Sequence, residues 1–251
     1  MAREIIKVES VCKSFSNGCT KQQILNHVNL QIYDGDFTII MGSSGAGKST
    51  LLYMLSSMDK PTSGKIKLLG DEITTCSEKE IANIRSKKIS FIFQGINLLP
   101  DLTAYENIAF PAYLTMPKEK AHKRAAELLE RFGLKEQAEK FPNELSGGQQ
   151  QRIAIARAVI TKPEILFGDE PTGALNSSSG IQVLDLLNEL NRAGQSIVMV
   201  THDIKACARG NRLLYLKDGN VSAELELGRY IPEKQKEREA KVFQFLEQHN
   251  W

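Results

Sequence analysis

The sequence has no apolar run long enough to cross a membrane. Its most apolar stretches, such as Phe37 to Met41 and Ile197 to Val200, are strand-length, whereas a membrane helix needs about 20 such residues. Nor does an apolar signal-peptide core follow Met1-Ala2-Arg3-Glu4. Any work at a membrane is therefore expected to pass through a partner. Cysteine is sparse: Cys12, Cys19, Cys76 and Cys207 lie far apart, with no Cys-x-x-Cys pair and no histidine at ligand spacing. That argues against a zinc or dithiol site and leaves buried or incidental thiols in a reducing compartment. Clustered basic charge is missing as well. The 32 Lys and Arg against 30 Asp and Glu leave a net charge of +2, so nucleic acid is not expected as a partner. Internal repeats and low-complexity linkers are absent.

What remains is the makeup of a soluble globular chain, 41% hydrophobic and 25% charged over 251 residues. This length allows one large α/β domain or a core carrying a smaller subdomain. The first third reads as β-rich, with strands over Ile5 to Val8, Val28 to Ile32 and Phe37 to Met41. A glycine-rich turn then leads into a helix beginning Lys48-Ser49-Thr50-Leu51-Leu52. In the middle, Ser77-x-x-Glu80 and Thr103-x-x-Glu106 fit the capping box of a helix start. A helix is expected over Lys118 to Phe132, stopped by Gly133, and another after Ser146 with Ile153, Ala156 and Ile160 on its buried face. Further on, Ile165 to Gly168 predicts a strand, Ile181 to Arg192 a helix stopped by Gly194, and Ser196 to Val200 a strand. Arg212 to Lys217 and Val221 to Leu225 flank Asp218-Gly219, a hairpin signal. Alternating strands and helices predict a mostly parallel sheet covered on both faces. In the charged tail from Gly228 to Trp251, Val242, Phe245 and Leu246 are spaced for a short amphipathic helix, either packed back on the domain or docking a partner.

Three motifs carry chemistry. Gly42-Ser43-Ser44-Gly45-Ala46-Gly47-Lys48-Ser49 fits G-x-x-x-x-G-K-[ST] between a strand and a helix. Its glycines let backbone amides curl toward phosphates, Lys48 adds a full charge, and the Ser49 hydroxyl suits Mg²⁺. Ile165 to Glu170 is an apolar strand ending in two acids. Asp169 is suited to organise Mg²⁺, and Glu170 to take a proton from an attacking water. Leu145-Ser146-Gly147-Gly148-Gln149 is a second glycine-bearing helix start, this one without a lysine.

That last motif resembles the signature of the ABC ATPase family, and the resemblance covers roughly residues 5 to 225. It implies a P-loop NTPase (RecA-like) core, an antiparallel β subdomain and an inserted helical subdomain. The expected bounds are about 1–95 with 152–227 for the core, 96–151 for the insertion and 228–251 for the tail. It further implies ATP and Mg²⁺ as cofactors, with two copies packed head to tail so that each phosphate loop meets the partner's signature helix. Gln94 matches the loop glutamine that senses Mg²⁺, His202 the switch histidine at the γ-phosphate, and Phe15 the aromatic that stacks on adenine, although Phe15 could equally be core. Lys48, Gln94, Glu170 and His202 are the expected catalytic set. Thr50, the Leu145 to Gln149 segment and Asn176 join the nucleotide-binding residues.

Asn176 departs from the family pattern, which commonly has aspartate there. The amide keeps shape and hydrogen bonding but drops the charge, so coupling between sites is expected to differ while activity is retained. Phe91-Ile92-Phe93-Gln94-Gly95-Ile96-Asn97-Leu98-Leu99-Pro100 and Leu102-Thr103-Ala104-Tyr105-Glu106-Asn107 resemble the macrolide-exporter and lipoprotein-release branch. Asn176 and the tail ending in Trp251 resemble bacterial peptide-antibiotic resistance systems. The implied partner is an integral membrane permease, which would hold this chain at the cytoplasmic face of the membrane. Its docking cleft is expected at Leu98, Leu99, Tyr105 and Phe110, residues that could also be subdomain core. Long coiled coils and a second nucleotide domain, features of soluble relatives, are absent. A soluble ABC ATPase, as in iron–sulfur assembly, stays as the alternative.

Overall fold

A computed structural model describes residues 3–17, 20–249 and 251. Cys19 lies outside the described residues. Along the chain run β1 (Glu4–Asn17), β2 (Thr20–Tyr33), β3 (Phe37–Gly42), α1 (Lys48–Leu55), β4 (Ser63–Leu68), β5 (Asp71–Glu72), α2 (Glu78–Lys87) and β6 (Ile89–Ile92). Then come α3 (Ala104–Ala109), α4 (Lys118–Arg131), α5 (Gly147–Val159), β7 (Ile165–Asp169), α6 (Ser177–Arg192), β8 (Ser196–Val200), α7 (Ile204–Cys207), β9 (Arg212–Lys217), β10 (Asn220–Glu226) and α8 (Gln235–Gln248). Two units result: Met1–Ala82 with Gly194–Trp251, and Asn83–Ala193. Among the described residues no helix is long and apolar enough to cross a membrane.

In the first unit, β3 runs parallel to β8 on one side and β9 on the other, and β9 pairs antiparallel with β10. Every residue of β3 and β8 is buried, the pattern of a parallel strand covered on both faces. Leu51, Leu52, Met54 and Leu55 of α1 are buried where the helix packs on β3 and β8. Each such side chain contributes about 2 kcal/mol of transfer free energy. A second, antiparallel sheet has the order β2-β1-β4-β5. Its two long strands carry register shifts between Val8 and Val11 and again by Lys13. Ser10 and His27 there sit at positive φ. Such bulges break the in-out alternation, so the sequence exposes only short pieces of two strands that are each 14 residues long.

The tail helix packs back on this unit, with Val242 and Leu246 fully buried and Phe245 nearly so. The Phe245 ring meets Tyr215 of β9 edge to face at 6.4 Å.

In the second unit β6 and β7 pair in parallel, Ile89 opposite Ile165 and Ile92 opposite Gly168. The helical stretch expected over 96–151 lies inside this unit, which runs wider because β6, β7 and α6 belong with it. Caps fall where the sequence signals them. Thr103 and Glu106 form a full box at α3, and Ser77 and Glu80 exchange bonds at α2. The α4 helix ends before Gly133, at φ +66°, and α6 before Gly194, at φ +98°. Ile153 and Ala156 of α5 and Ile160 at its C-cap are all buried, as expected.

Candidate functional site

In the first unit the phosphate loop grows from β3. Gly42 still pairs with Leu216 of β9, so closely that a Cβ on Gly42 would stand 2.1 Å from the Leu216 carbonyl oxygen. The chain then turns, with Ala46 N–H donating to the Ser43 carbonyl at 3.2 Å, and Ser43, Ser44 and Gly45 are exposed. Gly47 caps α1 at φ +97° with no side-chain acceptor, leaving the first amides of the helix to face an anion. Lys48 Nζ donates to the carbonyls of Gly42 and Ser43, both at 2.9 Å, which holds the ammonium within the curl. Ser49 and Thr50 follow on the first turn, half-buried.

His202 belongs to the same unit. Ile40 of β3 is in register with Val200 of β8, so the phosphate loop and the His202 loop leave the same end of two adjacent parallel strands. Ligands of open α/β sheets bind at such carboxyl ends. The His202 loop is pinned on both sides: Thr201 N–H donates to Ile40 O at 3.3 Å, Asp203 N–H donates to Thr201 Oγ1 at 3.1 Å, and Asp203 caps α7. Thr201 escaped sequence reasoning, since one threonine at a strand end carries no signal. Phe15 is exposed on β1, with Lys13 Nζ 4.9 Å from its ring centroid; the alternative that it is core does not hold.

In the second unit Gln94 follows β6, and Asp169 ends β7 with Glu170 just after it, the two strands being parallel neighbours. Asp169 is buried and Glu170 half-buried. Glu170 has φ +44°, a conformation costing about 1–3 kcal/mol for a residue with a side chain and concentrated at functional sites. Gly173, which the sequence did not single out as a site residue, returns its N–H to the Glu170 carbonyl at 2.9 Å. A Cβ there would lie 3.1 Å from Gln94 Nε2 and 3.3 Å from Glu170 Oε2. The glycine thus makes room where the amide and carboxylate draw together.

The signature segment starts α5 in this unit. Ser146 and Gln149 form a reciprocal capping box, and Gln150 Nε2 pins the approach by donating to Pro142 O and Leu145 O. A Cβ on Gly148 would meet Ser179 Oγ at 2.6 Å, so this glycine lets α5 approach the start of α6. Asn176 Oδ1 caps α6, accepting from Ser179 N–H at 2.9 Å. Arg157 of α5 donates to the carbonyls of Ile96 and Asn97, two residues at positive φ just after Gln94. That arginine fixes the path of the glutamine loop and was invisible in the sequence, because its acceptors lie 60 residues away. Of the expected docking residues, Leu99 and Phe110 are exposed, Leu98 and Tyr105 half-buried, and Leu114 beyond them is 81% exposed.

A strand, glycine loop and lysine-headed helix on a parallel sheet, with acids ending a strand, define a P-loop NTPase. The ABC transporter family matches residues 25–173. The chain is 43% identical over 88% of its length to the macrolide export ATP-binding/permease protein MacB of Aggregatibacter actinomycetemcomitans, but spans only 35% of that protein. It is also 43% identical to the bacitracin export ATP-binding protein BceA of Halalkalibacterium halodurans, covering 89% of each chain. A dimeric ATP-binding cassette in a post-hydrolysis state, bound to ADP and Pi, matches with a TM-score of 0.82 at 42% identity, over 90% of this chain and 100% of that one. The chain belongs to the ABC transporter family, as an ATP-binding cassette.

Proposed function

We propose that the chain is the ATP-hydrolysing subunit of an export system. It binds Mg-ATP, pairs head to tail with a second copy, and drives an integral membrane permease at the cytoplasmic face. The observation that supports this most is the presence of two glycine-bearing helix starts, α1 with Lys48 and α5 without a lysine. One chain thus offers two unlike anion-facing surfaces, as a head-to-tail pair with two equivalent sites requires.

The residues fit the cofactor. Lys48 and the amides of Gly42 to Thr50 suit the phosphates, and Phe15, exposed, suits the base. Ser49 and Asp169 are hard oxygen donors for Mg²⁺, with Gln94 beside Glu170 sensing it. Mg²⁺ suits donors of this kind, because it is usually bound by few carboxylates together with phosphate and water. Glu170 takes the proton of the attacking water, His202 holds the γ-phosphate, and Leu145 to Gln149 serve the partner copy's nucleotide. Likeness to macrolide and bacitracin export proteins supports an antibiotic, antimicrobial peptide or lipid-linked substrate.

The direct test is turnover by the purified chain with ATP, with and without EDTA. Turnover that needs Mg²⁺ supports the reading, and a chain that neither binds nor hydrolyses ATP overturns it. Coupling has its own test in the exposed apolar set of Leu99, Phe110 and Leu114. The Asn107 amide accepts from Leu99 N–H and donates to Leu99 O, so the backbone there survives a changed side chain. Leu99→Asp is expected to leave isolated turnover within about twofold, an exposed substitution being nearly neutral, while export by the complete system is lost. Normal export by this variant would remove the cleft from the docking surface.

A further inference from the structure

The charged tail contains one arginine that is not solvated. Arg238 of α8 is 5% exposed. Its Nε donates to Ala208 O at 2.7 Å and its Nη2 to Gly210 O. On the other edge Nη1 reaches Leu227 O at 2.7 Å, with longer bonds to Gly228 O and Arg229 O. One guanidinium therefore ties the turn after α7 to the exit of β10. Tyr230 lies against it, 5.5 Å from the guanidinium carbon to the ring centroid.

α7 needs such support. Four residues form a single turn, far below the length at which a helix persists alone. Its position is set from outside, by the Asp203 cap at its start, by Cys207 Sγ against Met41 Sδ at 3.2 Å, and by Gln235 Nε2 of α8 reaching Lys205 O at 3.4 Å. His202 stands two residues before α7. Both the front of the His202 loop, through Thr201, and the back of α7, through Cys207, rest on β3, the strand that ends in the phosphate loop.

We propose that α8 is a positioning element for the His202 loop, with Arg238 as the residue that holds α7 in place from behind. This rests on the ATPase reading above. A fixed loop serves an interaction made in the transition state, so losing the brace lowers kcat and spares KM. A tail that merely adds stability would move the melting temperature alone.

Arg238→Met and Arg238→Lys are compared in the full chain, alone and with His202→Ala, each assayed well below its melting temperature. Arg238→Met is expected to lower kcat about tenfold or more, small misplacements near reacting groups being this costly, with KM for ATP within about twofold. The Lys variant, keeping charge and some carbonyl bonds, recovers part of the loss. With His202→Ala present, Arg238→Met costs less than about twofold further, as two residues acting through one interaction are not additive. Full additivity, or an unchanged kcat, overturns the proposal. Glu170→Gln separates the two readings: if the parent chain has no turnover for it to remove, the ATPase reading fails by itself. Amide exchange over residues 204–210 then decides the brace, about tenfold faster exchange in Arg238→Met supporting it and unchanged exchange overturning it.

Discussion

Glu170→Gln is expected to lower ATP turnover by about 10²-fold or more, the usual contribution of a positioned base. A dimer should build up with Mg-ATP, because nucleotide binds and is not consumed. The substitution is clean on structural grounds. Glutamine keeps the size of the side chain that packs near Gly173 and the same backbone strain at φ +44°. What disappears is the carboxylate that accepts a proton. Turnover assays and light scattering on one preparation read both effects. Surviving turnover would remove Glu170 as the base. Lost turnover without a dimer would mean that closure needs the permease or a different nucleotide-binding chain.

The second large effect concerns stability. Gly42→Ala places a methyl 2.1 Å from the Leu216 carbonyl oxygen and 3.1 Å from its carbon. The obstacle is backbone in a paired strand, which cannot step aside as a side chain can. About 3 kcal/mol is expected from overpacking of this kind, a drop of roughly 6–12 °C in melting temperature for a chain this size. Gly45→Ala makes the comparison sharp. That glycine has nothing within 4 Å of a Cβ, and its constraint is φ +79°, worth about 1–2 kcal/mol for an alanine. Gly42→Ala should therefore be the more damaging of the two in thermal unfolding. The reverse order would mean that β3 and β9 separate more easily than their pairing implies.

The motifs that were legible in the sequence are contiguous ones, where local chemistry suffices. A strand, a glycine turn and a lysine at a helix start need no distant partner to be recognised, and neither do Thr103 with Glu106 or Ser146 with Gln149. The antiparallel sheet was foreseen as a class but not in extent, because bulges in β1 and β2 interrupt the alternation that marks a strand. Positioning groups were illegible for a different reason. Arg157, Asn107 and Arg238 donate to carbonyls, and every residue has a carbonyl, so no acceptor type betrays the pairing. Gly173 was not singled out because its use depends on Gln94, which is 79 positions earlier and reaches it only through the β6–β7 pairing.

The start of α6 has one more consequence. Asn176 Oδ1 receives Ser179 N–H and the Ser178 hydroxyl, each at 2.9 Å. Asparagine and aspartate serve about equally as caps, but an aspartate takes up a proton near pH 3.9 and with it loses the attraction of its charge for the helix end. The amide has no such proton to gain. This helix start is therefore blind to acid, and any acid sensitivity of the protein must be set by carboxylates and histidines elsewhere.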